Sequence, residues 1–359
     1  MTAYQRLGDY IREVNVRNKD LKVTNLQGVS ISKQFIPSIA NTIGTDMSTY
    51  KVVNPGQFAY GPVTSRNGDK VSIALYKGDD DAIISQAYTV FEVIDKEQMS
   101  PEYLMMWFQR PEFDRYARFH SHGSAREIFD WDELCGVYLP LPDIERQREI
   151  VEEYETLSRR IRLNEQIIEK LEATAQALYR KMFVEGIDKE NLPEGWRMGT
   201  LGEVAEVSSG KTCLDKVDKK EPPYIYPVAG ASGIIGYSST YNCDEQVMTT
   251  GRVGTLGVVN KYKDYTYMAD NVLVVKSQYY EYCYQILQHL DYNEITKGGV
   301  QSLITQTDLK AVEIIIPEEK TIKEYEDTAS LVFKMIETKQ QENSKLTELQ
   351  SLLLAKMGQ

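Results

Sequence analysis

The chain has 359 residues, with 41 Lys and Arg against 53 Asp and Glu, a formal charge of −12. That length suits two domains rather than one core, and 42% hydrophobic with 26% charged residues is the composition of a folded protein, which excludes wholesale disorder. No apolar run approaches the ~20 residues that cross a bilayer, and at first sight the acidic balance argues against a stand-alone nucleic-acid binder. The first residues lack the apolar core of a signal peptide. Cys135, Cys213, Cys243 and Cys283 form no C-x-x-C, so neither a disulfide framework nor a zinc site is indicated. The expected compartment is a reducing cytoplasm.

Taken in chain order, the elements come twice. Leu7-Gly8-Asp9 followed by Ile11 and Val14 returns at an offset of 194 as Leu201-Gly202-Glu203 with Ala205 and Val207. Tyr103, Trp107 and Phe108, on one face of a predicted helix, return at 179 as Tyr282, Ile286 and Leu287. Gly123 and Ile128 return at 176 as Gly299 and Ile304. From there the offset is 175: Leu134, Val137, Leu139, Leu141 and Pro142 map onto Leu309, Val312, Ile314, Ile316 and Pro317, a short strand that the proline ends.

Each strand feeds a long helix. Leu157, Ile161, Asn164, Ile168, Leu171, Ala175, Leu178 and Met182 follow steps of four and three, a heptad seam with no Pro or Gly between Asp143 and Glu185. The first helix is expected to end near Gly186, where the link Asn191-Leu-Pro-Glu-Gly-Trp196 opens the second copy. The second seam is Val332, Ile336, Lys339, Asn343, Leu346, Gln350, Leu353 and Met357; three of its eight positions are polar, so it needs the first as partner. Antiparallel pairing of two such struts, each ~60 Å long at ~1.5 Å per residue, puts the globular parts at opposite ends of a rod. A homodimeric coiled coil is the competing arrangement.

Three fragments invite a catalytic reading, and each departs from its motif. Glu221-Pro-Pro-Tyr224 is similar to the (Asn/Asp)-Pro-Pro-Tyr signature of amino-methylating DNA methyltransferases, but Glu is a methylene too long and no glycine-rich cofactor loop precedes it. The run from Ala205 to Thr212 lacks the first glycine of a P-loop, and Gly251, Gly254 and Gly257 have the wrong spacing for a dinucleotide fingerprint. The latter stretch reads better as a turn between strands. His120, His122 and His289 form no H-x-x-x-H, and the first two suit a solvated or phosphate-contacting turn. The chain reads as a recognition protein.

The candidates for recognition lie in polar, glycine-rich loops. In the first domain they are Ser65, Arg66, Asn67 and Lys70 around an Asn-Gly turn, with Ser124 and Arg126 after the repeated glycine. In the second they are Lys211, Thr212, Ser232 (in the small-residue tract Tyr226–Gly233), Thr250, Arg252, Gln301 and Ser302. Arginine offers paired donors to a guanine edge or a phosphate, and Asn67 and Gln301 can pair with an adenine edge. Arg66 and Arg252 are expected at equivalent turns. The expected helix-packing residues are Leu157, Ile161, Ile168, Leu171, Leu178, Val332, Ile336, Leu346 and Leu353.

Together these residues resemble the specificity subunit of Type I restriction-modification systems. The marks are Leu192-Pro-Glu-Gly-Trp196, the Leu-Gly-(Asp/Glu) starts, Tyr226-Pro-Val-x-Gly-x-Ser-Gly233, Gly123-Ser-x-Arg126, and Leu139-Pro-Leu-Pro leading through Arg146-Gln147 into a long helix. In the second copy Thr321-Ile322 stands where Arg146-Gln147 does. The resemblance implies an α+β, pseudo-twofold chain of two target recognition domains (1–142 and 191–316) joined by two long antiparallel coiled-coil helices (143–190 with its link, and 317–359). It implies that each domain reads half of a bipartite double-stranded DNA target. The helices would set the gap and dock two methyltransferase subunits, with restriction motor-nuclease subunits beyond them. The chain itself would be non-catalytic and without cofactor, S-adenosylmethionine and ATP being held by the partners. Two other readings stay open: an assembly scaffold without DNA specificity, and a divergent adenine methyltransferase using Glu221–Tyr224. The acidic balance then becomes a division of labour. Residues 1–142 carry 15 basic against 18 acidic residues and 191–316 carry 11 against 15, so partners would supply much of the phosphate grip.

Overall fold

In the computed structural model, residues 4–38, 44–65, 67–68, 70–123, 126–253, 255–295 and 303–358 are described. The chain divides into two units: one of residues 1–164 with 342–359, the other of residues 165–341.

In the first unit, β1 (Tyr4–Arg6) pairs antiparallel with β10 (Tyr138–Pro140). An antiparallel sheet runs in the order β2 (Ile11–Val14), β9 (Thr89–Val93), β6 (Phe58–Tyr60), β7 (Ile73–Leu75). A mixed sheet runs β4 (Phe35–Pro37), β3 (Leu26–Val29), β8 (Ala82–Ile84), β5 (Lys51–Val53), with β3 parallel to β8. The helices are α1 (Pro101–Gln109), α2 (Pro111–Phe119), α3 (Trp131–Cys135) and the first part of α4 (Ile144–Phe183). Ser100 starts α1 by accepting the Tyr103 N–H at 3.2 Å, with Pro101 in the first turn. The helix buries its apolar face on Phe58 and Phe91, stacked 4.8 Å apart with Phe108 edge-on at 5.9 Å from Phe58. Such aromatic pairs add ~0.5–1.5 kcal/mol each beyond the area they bury. Leu354 and Met357, from the end of α9 (Glu319–Lys356) and the residue after it, complete this core.

The second unit repeats the plan. Here β11 (Arg197–Thr200) pairs antiparallel with β19 (Glu313–Ile316), and a sheet runs β12 (Glu206–Ser209), β18 (Val272–Lys276), β15 (Val247–Gly251), β16 (Val259–Tyr262). That is the strand order of the first unit. A smaller sheet runs β14 (Gly233–Ser238), β13 (Tyr226–Gly230), β17 (Tyr267–Met268). The helices are α5 (Leu201–Val204), α6 (Tyr280–His289), α7 (Tyr292–Ile295) and α8 (Gln306–Lys310). The repeat extends to single bonds: Tyr103 Oη donates to the Pro140 carbonyl at 3.0 Å, and Tyr282 Oη to the Ile315 carbonyl at 2.5 Å. Each tyrosine fastens its helix to the strand that leads into a long helix.

Three local expectations need correction. Leu134 and Leu309 belong to α3 and α8 rather than to the strands, because Asp130 and Thr305 cap those turns by accepting the Glu133 and Asp308 N–H groups. Val63 bridges Ile128 and Val253 bridges Leu303, so the offset of 175 already holds there and Ile304 matches Phe129, not Ile128. The helix α4 stops at Phe183, three residues before Gly186, which takes a left-handed φ of +74°.

The long helices pair antiparallel within each unit. In the first, Ser158 accepts from Gln350 at 2.7 Å, Asn164 Nδ2 donates to Asn343 Oδ1 at 2.8 Å, and Arg160 meets Glu342 at 2.6 Å. The seam residues Leu157, Ile161, Ile168, Leu171, Leu178, Val332, Leu346 and Leu353 are half-buried and Ile336 is buried. Large aromatic side chains of the second unit's helices stand beside the seam. Tyr179 and Phe183 of α4 meet Tyr325 of α9 and Tyr282 of α6, all in one core. Among the described residues no helix is long and apolar enough to cross a membrane.

Candidate nucleic-acid interface

In the second unit one rim collects the ends of β12, β15 and β18 and the turn between β13 and β14. Gly210 N–H donates to the Val272 carbonyl at 3.2 Å and Lys211 N–H to the Met268 carbonyl at 2.9 Å. A Cβ at Gly210 would fall 1.9 Å from the Ala269 carbonyl oxygen, so this close crossing requires glycine. It leaves the Lys211 side chain exposed. Thr212 Oγ1 donates to Asp270 at 2.7 Å, and its carbonyl accepts from Tyr267 Oη at 3.0 Å. Arg252 N–H donates to the Asn271 carbonyl at 2.9 Å, and the Arg252 carbonyl accepts from Ile304 N–H at 3.1 Å. Arg252 Nε and Asn271 Oδ1 are buried without a hydrogen-bond partner among the described residues. Exposed Ser232 follows Ala231, whose Cβ lies against Gly251 at the end of β15.

The rim therefore brings Lys211, Thr212, Ser232 and Arg252 together. It does not bring Thr250, whose side chain is 0% exposed on a strand buried along its whole length. Gln301 and Ser302 lie outside the described residues. Sequence reasoning missed Asp270 and Asn271. Their signal was the polar pair just before the apolar strand Val272-Leu-Val-Val275, at a strand end where loop residues gather.

In the first unit Thr64 Oγ1 donates to Ser121 Oγ at 2.9 Å, and Thr64 N–H to the Glu127 carbonyl at 3.0 Å. These bonds fasten the loop after β6 to the segment around Gly123. Gly123 takes a φ of +133°, and a Cβ on it would fall 2.1 Å from the Arg126 carbonyl oxygen. Asn67 and Arg126 line one pocket of about 450 Å³ with Ser30, Ile31 and Tyr88. The Asn67 amide already donates to the Val63 carbonyl and to Ser72 Oγ, both at 3.2 Å, so its donors serve the loop. Ser65, Lys70 and Arg126 are exposed. Arg66 and Ser124 lie outside the described residues.

The proposed equivalence of Arg66 and Arg252 does not hold. The Phe129 N–H donates to the Pro62 carbonyl just as Ile304 N–H donates to that of Arg252, and the bridges Val63–Ile128 and Val253–Leu303 follow. Arg252 thus occupies the place of Pro62. Comparing the loops by their glycines alone slips the frame by four residues.

His120 and His122 share the Glu133 carboxylate at 3.2 and 3.5 Å, and His120 stacks on Tyr116 at 4.2 Å. Among the described residues no group of three or more His, Cys, Asp or Glu is placed to hold a metal. Glu221 to Tyr224 forms an exposed, self-paired turn, and the run after Ala205 is strand β12 where a P-loop needs its phosphate-cradling loop.

The duplicated α+β lobes, each with a basic and hydroxyl-bearing loop rim, define an internally repeated recognition protein. Residues 34–173 and 193–348 both match the Type I restriction modification DNA specificity domain, and the chain belongs to that family. It is 27% identical over 135 residues to the specificity subunit of the Type I restriction enzyme EcoprrI of Escherichia coli; that match covers 36% of this chain and 33%, about a third, of the relative. The HindI specificity subunit of Haemophilus influenzae is 20% identical over 449 residues, 98% of this chain and 97% of that one. Among solved structures, the S subunit of a Type-I restriction-modification system from M. genitalium shares the fold with a TM-score of 0.63 at 13% identity. The match covers 100% of this chain and 96% of that one.

Proposed function

We propose that this chain is the non-catalytic DNA-reading subunit of a Type I restriction-modification complex, its two units each reading one half of a bipartite duplex target. The observation that carries this is the identical strand order β2-β9-β6-β7 and β12-β18-β15-β16, each sheet ending in a loop crossing beside an arginine, Arg126 or Arg252, within a chain matched twice by the DNA specificity family. Lys211 and Arg252 give the second unit one phosphate-type and one base-edge-type donor. The α4–α9 pair spaces the half-sites and docks two methyltransferase subunits. S-adenosylmethionine belongs to those partners and ATP to a motor-nuclease subunit, and the complex works in the cytoplasm.

The test is Arg252→Ala in the full chain assembled with its methyltransferase subunits. Binding and methylation are expected to weaken by ~1–3 kcal/mol at one half-site only. Equal weakening at both half-sites would refute one unit per half-site. Binding without any sequence preference would favour a scaffold.

A further inference from the structure

One apolar side chain, in the loop that leaves the second unit's rim after Thr212, has no packing role. Leu214 is 94% exposed, more than any other large hydrophobic residue among those described. Single exposed apolar residues are common and need no explanation where the chain is loose. This one is held in place. On its N-terminal side Thr212 is tied to Asp270 and Tyr267. On its C-terminal side Asp215 accepts from Ser238 Oγ at 2.7 Å and from the Ser239 N–H and Oγ at 2.9 and 2.5 Å. Val217 then forms a bridge to Tyr237. The loop is clamped to β14 on one side and to the rim on the other, with Leu214 at the point between.

The surroundings select the occupant. Residues 211–220 contain four lysines and two aspartates, inside a segment that is otherwise net acidic. Lys211, Lys216, Lys219 and Lys220 are exposed, while Asp215 is turned inward onto its serines. A rigid aliphatic tip two residues from Thr212, in a stretch whose exposed charges are four lysines against Asp218, fits a surface that is anionic at its edges and offers a small apolar group between them. The major groove of duplex DNA has that character: phosphates flank it, and the thymine 5-methyl is its apolar feature.

We infer that Leu214 reads a thymine, its side chain covering the 5-methyl group in the half-site contacted by the second unit. This rests on the DNA-reading role proposed above and adds a base preference to it. Selection follows from shape and desolvation: cytosine has no methyl at that place, and its amino donor stands where thymine has the O4 acceptor.

The experiment uses the full chain with its methyltransferase subunits and duplexes in which each thymine of that half-site is replaced in turn by uracil, which lacks only the methyl. One replacement is expected to weaken wild-type binding by ~4-fold, the worth of one buried methyl. Leu214→Ala should weaken binding to the unmodified duplex by a similar factor and become indifferent to uracil at that position. The other half-site should be unaffected. Unchanged binding by Leu214→Ala, a uracil effect the variant retains, or a half-site without thymine overturns the inference. So does lost assembly with the methyltransferase subunits at unchanged DNA preference, which would make Leu214 a protein contact. A Leu214-dependent rise in 2-aminopurine fluorescence would instead mark a wedge between base steps. Arg252→Ala run alongside separates the two failures: if it weakens the half-site and Leu214→Ala does not, only the thymine contact falls.

Discussion

Glu326 does in the second unit what Gln147 does in the first, one helical turn later in the repeat. Gln147, fully buried, accepts the Ser100 N–H at 2.9 Å and donates to the Gln98 and Pro142 carbonyls, fixing the start of α1 against α4. The repeat puts Ile322 at that place, and Glu326 instead accepts the N–H groups of Glu281 and Tyr282 at the start of α6, at 3.2 and 2.7 Å. The departure at Thr321-Ile322 therefore moves the anchor by four residues and keeps its function.

Removing either anchor leaves buried N–H groups without a partner, at a cost of ~1–3 kcal/mol. Gln147→Ala should lower the denaturation midpoint reported by Trp107 and Trp131, and Glu326→Ala the one reported by Trp196. Gln147→Glu, which keeps the acceptor but sets a buried carboxylate against the Gln98 and Pro142 carbonyls, should lose at least as much. Equal shifts of both signals by either variant would show that the anchors are not local.

The Asn164–Asn343 pair sets helix register in the first unit. Asn343→Ala strands the buried Asn164 amide and should destabilise by ~1–3 kcal/mol, whereas the double replacement by leucine should recover stability and weaken the choice of register. Cysteine cross-linking at neighbouring seam positions reads that choice. A double variant with one cross-linked register only would contradict it.

Burial beneath Tyr284 and Phe333 holds the Lys261 ammonium down to about 8, although Glu281 pairs with it. The folded value lies below the unfolded one near 10.5, so between them the unfolded chain binds a proton that the folded chain does not. Stability contributed through this group therefore rises with pH across that window. The stability of wild type relative to Lys261→Met should rise from pH 8 to pH 9.5 in urea titrations read by Trp196. A gap independent of pH would refute the shift.

The spacer role predicts a quantised response. Because α4 and α9 are bonded at Asn164–Asn343, a heptad added to α4 alone breaks the seam, whereas matched heptads in both helices preserve it. Seven residues add ~10 Å, close to three base pairs. Methylome mapping should show the same half-sites with a gap longer by about three, and an unchanged gap would remove the spacer role.

Much of this was legible in the sequence because repeated packing requires repeated residues. Tyr103 and Tyr282 could be matched at an offset of 179 since each fills the same space and reaches the same strand. The heptads gave α4 and α9. What escaped was lateral: Tyr179 and Phe183 stand one step off the seam, because the helix face that meets the globular part is not the face that meets the other helix. Thr250 was misjudged since β15 is covered on both faces, and polarity alone does not distinguish a buried threonine from an exposed one. The Arg66–Arg252 match failed because loops drift in length, and only the backbone bridges at Val63 and Val253 restore the frame.

The division of α9 between the units bears on the order in which the protein can be completed as it is made. Residues 165–341 form a continuous stretch that can close its core as soon as it has been synthesised. The first unit, although most of it is translated earlier, needs Leu354 and Met357 and must wait for the last segment of α9. The portion made first is thus finished last, and until then the faces of α1 and α4 that receive those residues stand uncovered, available to chaperones or to the wrong neighbour.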